Sequence, residues 1–198
     1  MATIPIQHVE GESAWHEPSR GVVGMASLII AETAMFSIFV VAYVYYMGTD
    51  KYGPTPRQVL ELPIFNTVCL LSSSLTIWLA EHAISRRNLS AFTLWWAATL
   101  LLGATFLLGT AREWSKLIEH YGLTIRTNLF GTTFYSLVGL HAAHVIVGLT
   151  LLLLVFILAV TQNLRPEHAE RVKVLALYWH FVDAVWVVVF TVVYVVGR

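Results

Sequence analysis

Charge is scarce in this chain and cysteine is almost absent. Only 12% of its 198 residues are Asp, Glu, Lys or Arg, against roughly 25% in a soluble globular domain. A soluble fold must wet its surface, so a deficit of this size excludes that class. The lone cysteine, Cys69, can form no disulfide within the chain and cannot alone build a thiolate metal cage. It is expected to be a small buried apolar side chain. An excess of either sign of charge is missing too: 12 Lys and Arg balance 12 Asp and Glu, so no bulk attraction to nucleic acid is expected. Residues 1–20 carry Glu10, Glu12, Glu17, His8 and His16 and no long apolar run. That is the pattern of a polar tail rather than of a secretory signal, and the first apolar segment is expected to serve as its own insertion signal. Internal repeats of useful strength and low-complexity stretches are also lacking.

What fills the chain instead is apolar. Hydrophobic residues make up 57% of it and the mean hydropathy is +0.69. The class is an integral membrane protein, with room for a handful of spans and no separate soluble domain. Five segments stand out, each close to or above the ~20 apolar residues a span needs. They place helices near 22–47, 63–85, 91–118, 129–161 and 174–197, in a transmembrane domain over 21–198. The runs are continuous and not alternating, which favours helices over a barrel. The fourth is too long to stand straight, so it must tilt or project. Gly53-Pro54-Thr55-Pro56, Arg86-Arg87-Asn88, Tyr121-Gly122 and Arg165-Pro166-Glu167 punctuate the links, and the shortness of the second makes helices two and three an antiparallel hairpin. The positive-inside rule does not orient the bundle. Arg20, Arg86, Arg87, Arg165, Arg171 and Lys173 on one side are matched by Lys51, Arg57, Arg112, Lys116, Arg126 and Arg198 on the other.

A few titratable residues interrupt the apolar runs. In a membrane such groups are expensive, so they face a protein interior and carry a role. Glu32 lies ten residues into the first span, ~15 Å deep at ~1.5 Å per residue. It is expected to be protonated or partnered, either as a proton-linked carboxyl or as a hydrogen-bonding contact to a neighbouring helix. His141 and His144 share one face of the fourth helix, with Gly139 and Ala143 as a small-xxx-small pair that would let another helix approach. His180 and Asp183, three residues apart, share a face of the fifth helix. Three histidines invite a haem or metal role, since imidazole suits both. Hydrogen bonding between helices, to a group such as Asp183 or to a backbone carbonyl, is the plainer expectation. Glu81 and His82 fall at a helix end and read as headgroup-level anchors. Trp95, Trp96, Trp114, Tyr43, Tyr45 and Tyr46 read as interfacial belts.

These residues sit in segments that resemble a known family. The segments are Ala31-Glu32-Thr33-Ala34-Met35-Phe36, Leu62-Pro63-Ile64-Phe65-Asn66-Thr67, Gly131-Thr132-Thr133-Phe134-Tyr135, Gly139-Leu140-His141-Ala142-Ala143-His144-Val145 and Tyr178-Trp179-His180-Phe181-Val182-Asp183. Arg112-Glu113-Trp114 adds an acidic-aromatic pair. The chain closely resembles subunit III of the haem–copper respiratory oxidases, in the short five-helix bacterial form, over about residues 21–197. The histidine pair followed by the Trp-His-Phe-Val-Asp block is its most specific part.

The resemblance implies an all-α membrane bundle lacking the two N-terminal helices of larger members, and with them the cleft that holds phospholipid there. An arginine that meets a lipid phosphate in larger members is also absent; the chain is apolar there, around Phe156 to Val160. Phospholipid is nevertheless an expected ligand. The resemblance further implies a non-catalytic subunit with no cofactor of its own. Haem and copper would lie on a catalytic subunit I, the main contact, with subunit II and further subunits beside it. The role implied is support of stability, proton uptake and the lipid and oxygen environment while that partner reduces oxygen to water and pumps protons. Glu32, His141, His144, His180 and Asp183 would form the buried polar framework, with Glu81, His82, Glu113 and Trp114 at the interface with lipid. The location implied is the bacterial inner membrane, N-terminus cytoplasmic and C-terminus periplasmic. Two other functions stay open from the residues: a membrane b-type cytochrome ligated by the histidines, and a proton-coupled transporter using Glu32 and Asp183. The electron donor of the complex, cytochrome c or quinol, belongs to other subunits, with a slight lean to cytochrome c from the Tyr178-Trp179 form of the motif.

Overall fold

The computed structural model describes residues 19–49, 53–164 and 168–197. Residues 1–18 of the expected polar tail, with Lys51, the Arg165-Pro166-Glu167 link and Arg198, lie outside the described residues. Everything regular among the described residues is helical: α1 (Arg20–Tyr46), the short α2 (Pro56–Val59), α3 (Ile64–Ser85), α4 (Leu89–Tyr121), α5 (Leu129–Val160) and α6 (Ala169–Phe190), which a π-helical stretch extends over Thr191–Val196. Five of these are long and apolar enough to cross a membrane. The protein is therefore an all-α, multi-pass membrane bundle, as its apolar runs require.

Local chemistry sets the ends. Ser19 Oγ accepts from the Val22 amide at 3.4 Å, Asn88 Oδ1 from Ala91 at 3.0 Å and Asn128 Oδ1 from Gly131 at 2.8 Å, each quenching an orphan donor at a helix start. α4 stops at Gly122, whose φ of +63° suits a residue without Cβ. The Leu123 amide then closes back on the Leu117 carbonyl at 2.9 Å, a Schellman-type end. On the outer faces of the helices, Ser27, Thr33, Ser37, Thr93, Thr105 and Thr150 each donate to the carbonyl four residues earlier. Their hydroxyls therefore need no water in a hydrocarbon setting.

The helices form a row of neighbours. α3 and α4 pair as a hairpin, α4 packs on α5, α5 on α6, and α6 closes back on α3; α1 lies against α5 and α6. Tryptophans from α6 fill the centre. Trp179 is fully buried in a slot between Gly103 of α4 and Gly148 of α5. A Cβ on either glycine would fall 2.9 Å from the indole. Its Nε1–H donates to Ser73 Oγ of α3 at 2.8 Å. Two turns on, Trp186 stacks on His141 of α5 (centroids 5.0 Å, 29°), meets Phe106 of α4 edge-on (4.8 Å, 77°) and donates to Thr67 of α3 at 3.2 Å. One helix face thus joins three others.

Two sequence expectations need correction. Among the described residues no helix of this chain approaches closely at the Gly139/Ala143 pair. Ala143 is exposed, and a Cβ on Gly139 would make only an ordinary 3.5 Å contact with Trp114. The close approaches fall at Gly103 and Gly148, and at Gly109, whose notch the Asn66 amide occupies. Nor do all the aromatics form belts. Trp96 is fully buried and donates to the Leu152 carbonyl at 2.8 Å, and Tyr43 is also buried. Tyr45 and Tyr46 do remain exposed. Cys69 is buried on α3.

Candidate functional site

Most of the titratable residues within the spans fall into three groups. The first joins α1 to α5. Val22, Met25, Ile29, Glu32, Phe36, Phe39 and Tyr43 follow a 3–4 spacing down one face of α1, the face less exposed than its surroundings. Glu32 therefore turns toward the bundle. Its Oε2 lies 3.1 Å from His144 Nε2, with the side chains 22% and 14% exposed. His144 Nδ1–H donates to the Leu140 carbonyl of its own helix at 2.8 Å. A carbonyl can only accept, so the proton on Nδ1 is fixed. The contact at Nε2 then requires one further proton, held either by the carboxyl or by the ring. Both arrangements leave the pair with no net charge, which is how it can sit within a span. Phe36 packs on the imidazole (4.9 Å) and Tyr178 O–H from α6 donates to the His144 carbonyl at 3.3 Å.

The second group joins α3 to α6. His180 and Asp183 meet through a third residue, Ser74. The Ser74 hydroxyl donates to Asp183 Oδ2. Having only one proton, it then accepts from His180 Nδ1–H at 3.1 Å. His180 Nε2 points toward Glu81 Oε2 at 4.0 Å. Asp183 is 3% exposed and its Oδ1 has no hydrogen-bond partner among the described residues. Glu81 is thereby drawn into this column, while His82 stays exposed, packing on Trp78 (4.0 Å) and bonding the Trp78 carbonyl at 2.9 Å. Nothing in the sequence reading pointed to Ser73 or Ser74. The available signal was a run of three serines, Ser72-Ser73-Ser74, inside an apolar helix.

The third group is at the far ends of α4 and α6. Tyr194 O–H donates to Glu113 Oε1 at 3.0 Å, and Trp114 packs edge-on to Tyr135 (5.4 Å). His141 belongs to none of the three. It is 1% exposed between Trp186 and Phe106, and neither ring nitrogen has a partner among the described residues. His141 and His144, expected on one face, turn to different neighbours: the first toward α4 and α6, the second toward α1.

Most of the polar side chains thus pair across helices. Among the described residues no three or more His, Cys, Asp or Glu side chains are grouped so as to hold a metal ion. His144 and His180 are already engaged by Glu32 and by Ser74.

The comparisons with known proteins agree with this architecture. Residues 19–198 match the family model described as cytochrome c oxidase subunit III. The chain is 36% identical over 188 residues to cytochrome c oxidase subunit 3 of Alkalihalophilus pseudofirmus, covering 94% of this chain and 91% of that one. It is 32% identical over 194 residues to the protein of the same name from Thermostichus vulcanus, covering 94% and 92%. It is also 31% identical over 178 residues to quinol oxidase subunit 3 of Bacillus spizizenii, covering 89% and 87%. With a family match running through all five spans and a relative above 30% identity along nearly its whole length, the chain belongs to the cytochrome c oxidase subunit III family.

Proposed function

We propose that the protein serves as the non-catalytic third subunit of a proton-pumping terminal oxidase in a bacterial cytoplasmic membrane. It docks on the catalytic subunit, which carries the haem and copper, with subunit II and further subunits in the same complex. The N-terminus faces the cytoplasm and the C-terminus the periplasm. The observation that carries this reading is the family match over residues 19–198. Relatives bear both cytochrome c and quinol oxidase names, which supports leaving the electron donor to the other subunits.

Within that role, Glu32 and His144 form a proton-exchanging pair beside the catalytic subunit, supporting proton uptake, and the remaining polar groups hold the bundle together through turnover. The apolar exterior provides the lipid and oxygen environment. The pair's partial exposure, its one-proton requirement and its place on the outermost helix support this division. Glu32→Gln should keep a hydrogen bond to His144 Nε2 but lose the exchangeable proton. Complexes carrying it should assemble normally and show faster turnover-dependent inactivation or altered steady-state pumping. Normal inactivation and pumping would refute the proton role. For the subunit role, purification in mild detergent should bring down a haem-bearing partner in equal amount. Haem bound stoichiometrically to the isolated polypeptide would refute it.

A further inference from the structure

α4 is longer than a membrane is thick. Its 33 residues span about 50 Å at ~1.5 Å per residue, against a hydrocarbon core of ~30 Å. Residues 89–111 carry no charge, whereas Arg112, Glu113, Lys116 and Glu119 follow in the last turns, so that end is the one that projects. There the start of α3 and the end of α4 frame a cavity of about 260 Å³, lined by Glu61, Asn66, Arg112, Glu113 and Lys116 among others. Pockets that take small molecules run from ~300 to ~1,000 Å³, so this one suits a single side chain. Its lining holds hydrogen-bonding capacity that the described residues do not use. The Asn66 carboxamide lies against Gly109 and makes no hydrogen bond among them. Glu113 receives one donor, the Tyr194 hydroxyl on Oε1 at 3.0 Å, although a carboxylate has room for about four. Lys116 Nζ is committed to Glu61 at 2.5 Å. Arg112 is exposed, and none of the ion pairs among the described residues joins it to Glu113.

An unusual backbone holds Glu113 in place. α6 passes into a π-helix over Thr191–Val196, a form that is rare and frequent at functional sites. This stretch carries Tyr194, 1% exposed, whose hydroxyl fixes Oε1 and leaves Oε2 without a donor. Glu61 and Lys116 balance each other, so within the cavity the carboxylate of Glu113 sets the sign. An anion would meet that carboxylate across a few ångströms. A cation rich in donors fits instead, and the planar guanidinium of arginine offers the most donors to a carboxylate and a carboxamide oxygen together. We propose that the cavity receives a basic side chain, best an arginine, from a neighbouring subunit of the oxidase complex, held by Glu113 and Asn66. This contact presupposes the subunit role and gives the chemistry of one point at which the complex is fastened.

The test is dilution of the intact complex in mild detergent, followed by native mass spectrometry, as wild type, Glu113→Gln, Asn66→Ala and Lys116→Ala. Glu113→Gln keeps an acceptor for Tyr194 but loses the charge. It should release this subunit at a complex concentration about tenfold higher than wild type does, the effect of a lost charge-assisted hydrogen bond. Asn66→Ala should weaken retention severalfold. Lys116→Ala leaves Glu113 and Asn66 in place and should not weaken it. The full-length chain alone should melt at the same temperature as wild type and as Glu113→Gln, which separates docking from folding. Equal retention of wild type and Glu113→Gln would overturn the proposal. So would a lower melting temperature of the Glu113→Gln chain, which would make Glu113 an internal tie. Loss of a bound phosphatidylethanolamine from Glu113→Gln would overturn it too, since a lipid amine would then be the occupant. If the wild type brings down no partner, the subunit role and this contact fall together; equal retention with a partner present sinks the contact alone.

Discussion

α1 and α6 are both apolar spans carrying a carboxylate, yet they are held in opposite ways. α6 reaches α3, α4 and α5 through two buried tryptophans, and it reaches α3 again through the Ser74 clamp on His180 and Asp183. α1 buries only Phe36 and Tyr43 of its 27 residues, and Glu32 gives it a single polar tie to α5. The contrast separates two uses of a polar group in a membrane. On α6 the polar atoms fix rigid geometry and leave little freedom for chemistry. On α1 the carboxyl sits at a loosely packed seam, the setting that the proposed proton exchange requires.

The harshest challenge to this contrast is Trp179→Ala. It empties the slot between Gly103 and Gly148 and removes the indole donor from Ser73 Oγ, which keeps its own bond to the Leu70 carbonyl; the loss should be about 3–5 kcal/mol, read as failure to accumulate or a collapse of thermal stability in detergent. Ser74→Ala should come next. It leaves Asp183 Oδ2 without its donor, so a destabilisation of about 1–3 kcal/mol is expected. Asp183→Asn should be milder, because an amide can keep one bond to the serine. Glu32→Ala should cost no more than about 1 kcal/mol of stability while altering turnover. A thermal-stability loss matching that of Ser74→Ala would erase the distinction between the two helices. Smallest of all is Lys116→Ala, which breaks a 2.5 Å pair with Glu61 at the exposed end of α4. Exposed pairs contribute little, so melting should not move measurably.

The sequence carried the number and rough extent of the spans because hydropathy encodes them. It also carried the sites of the titratable residues, since few interrupt the apolar runs. It did not carry which face of each span turns inward. In a soluble helix the polar side reports rotation, but a membrane helix is apolar all round. Hence Trp96 and Tyr43 passed for belt residues, and Gly139 looked as good a contact point as Gly148. Ser74 escaped notice for a related reason. A serine in a membrane helix can satisfy itself on its own backbone, as Thr33 and Ser37 do, so its sequence gives no sign that it bonds across to another helix. The partnership of Glu32 with His144, on segments 112 residues apart, needed the fold.

The glycine slot around Trp179 has an evolutionary corollary. Residue size at three places on three different helices is a single shared variable, because the indole fills the space that Gly103 and Gly148 leave open. Gly148→Ala alone should drive a wedge between α5 and α6, whereas the same alanine beside Trp179→Phe can be absorbed by the smaller ring. Divergence here must therefore proceed by matched exchanges, and a drifting glycine would first require its distant tryptophan to shrink.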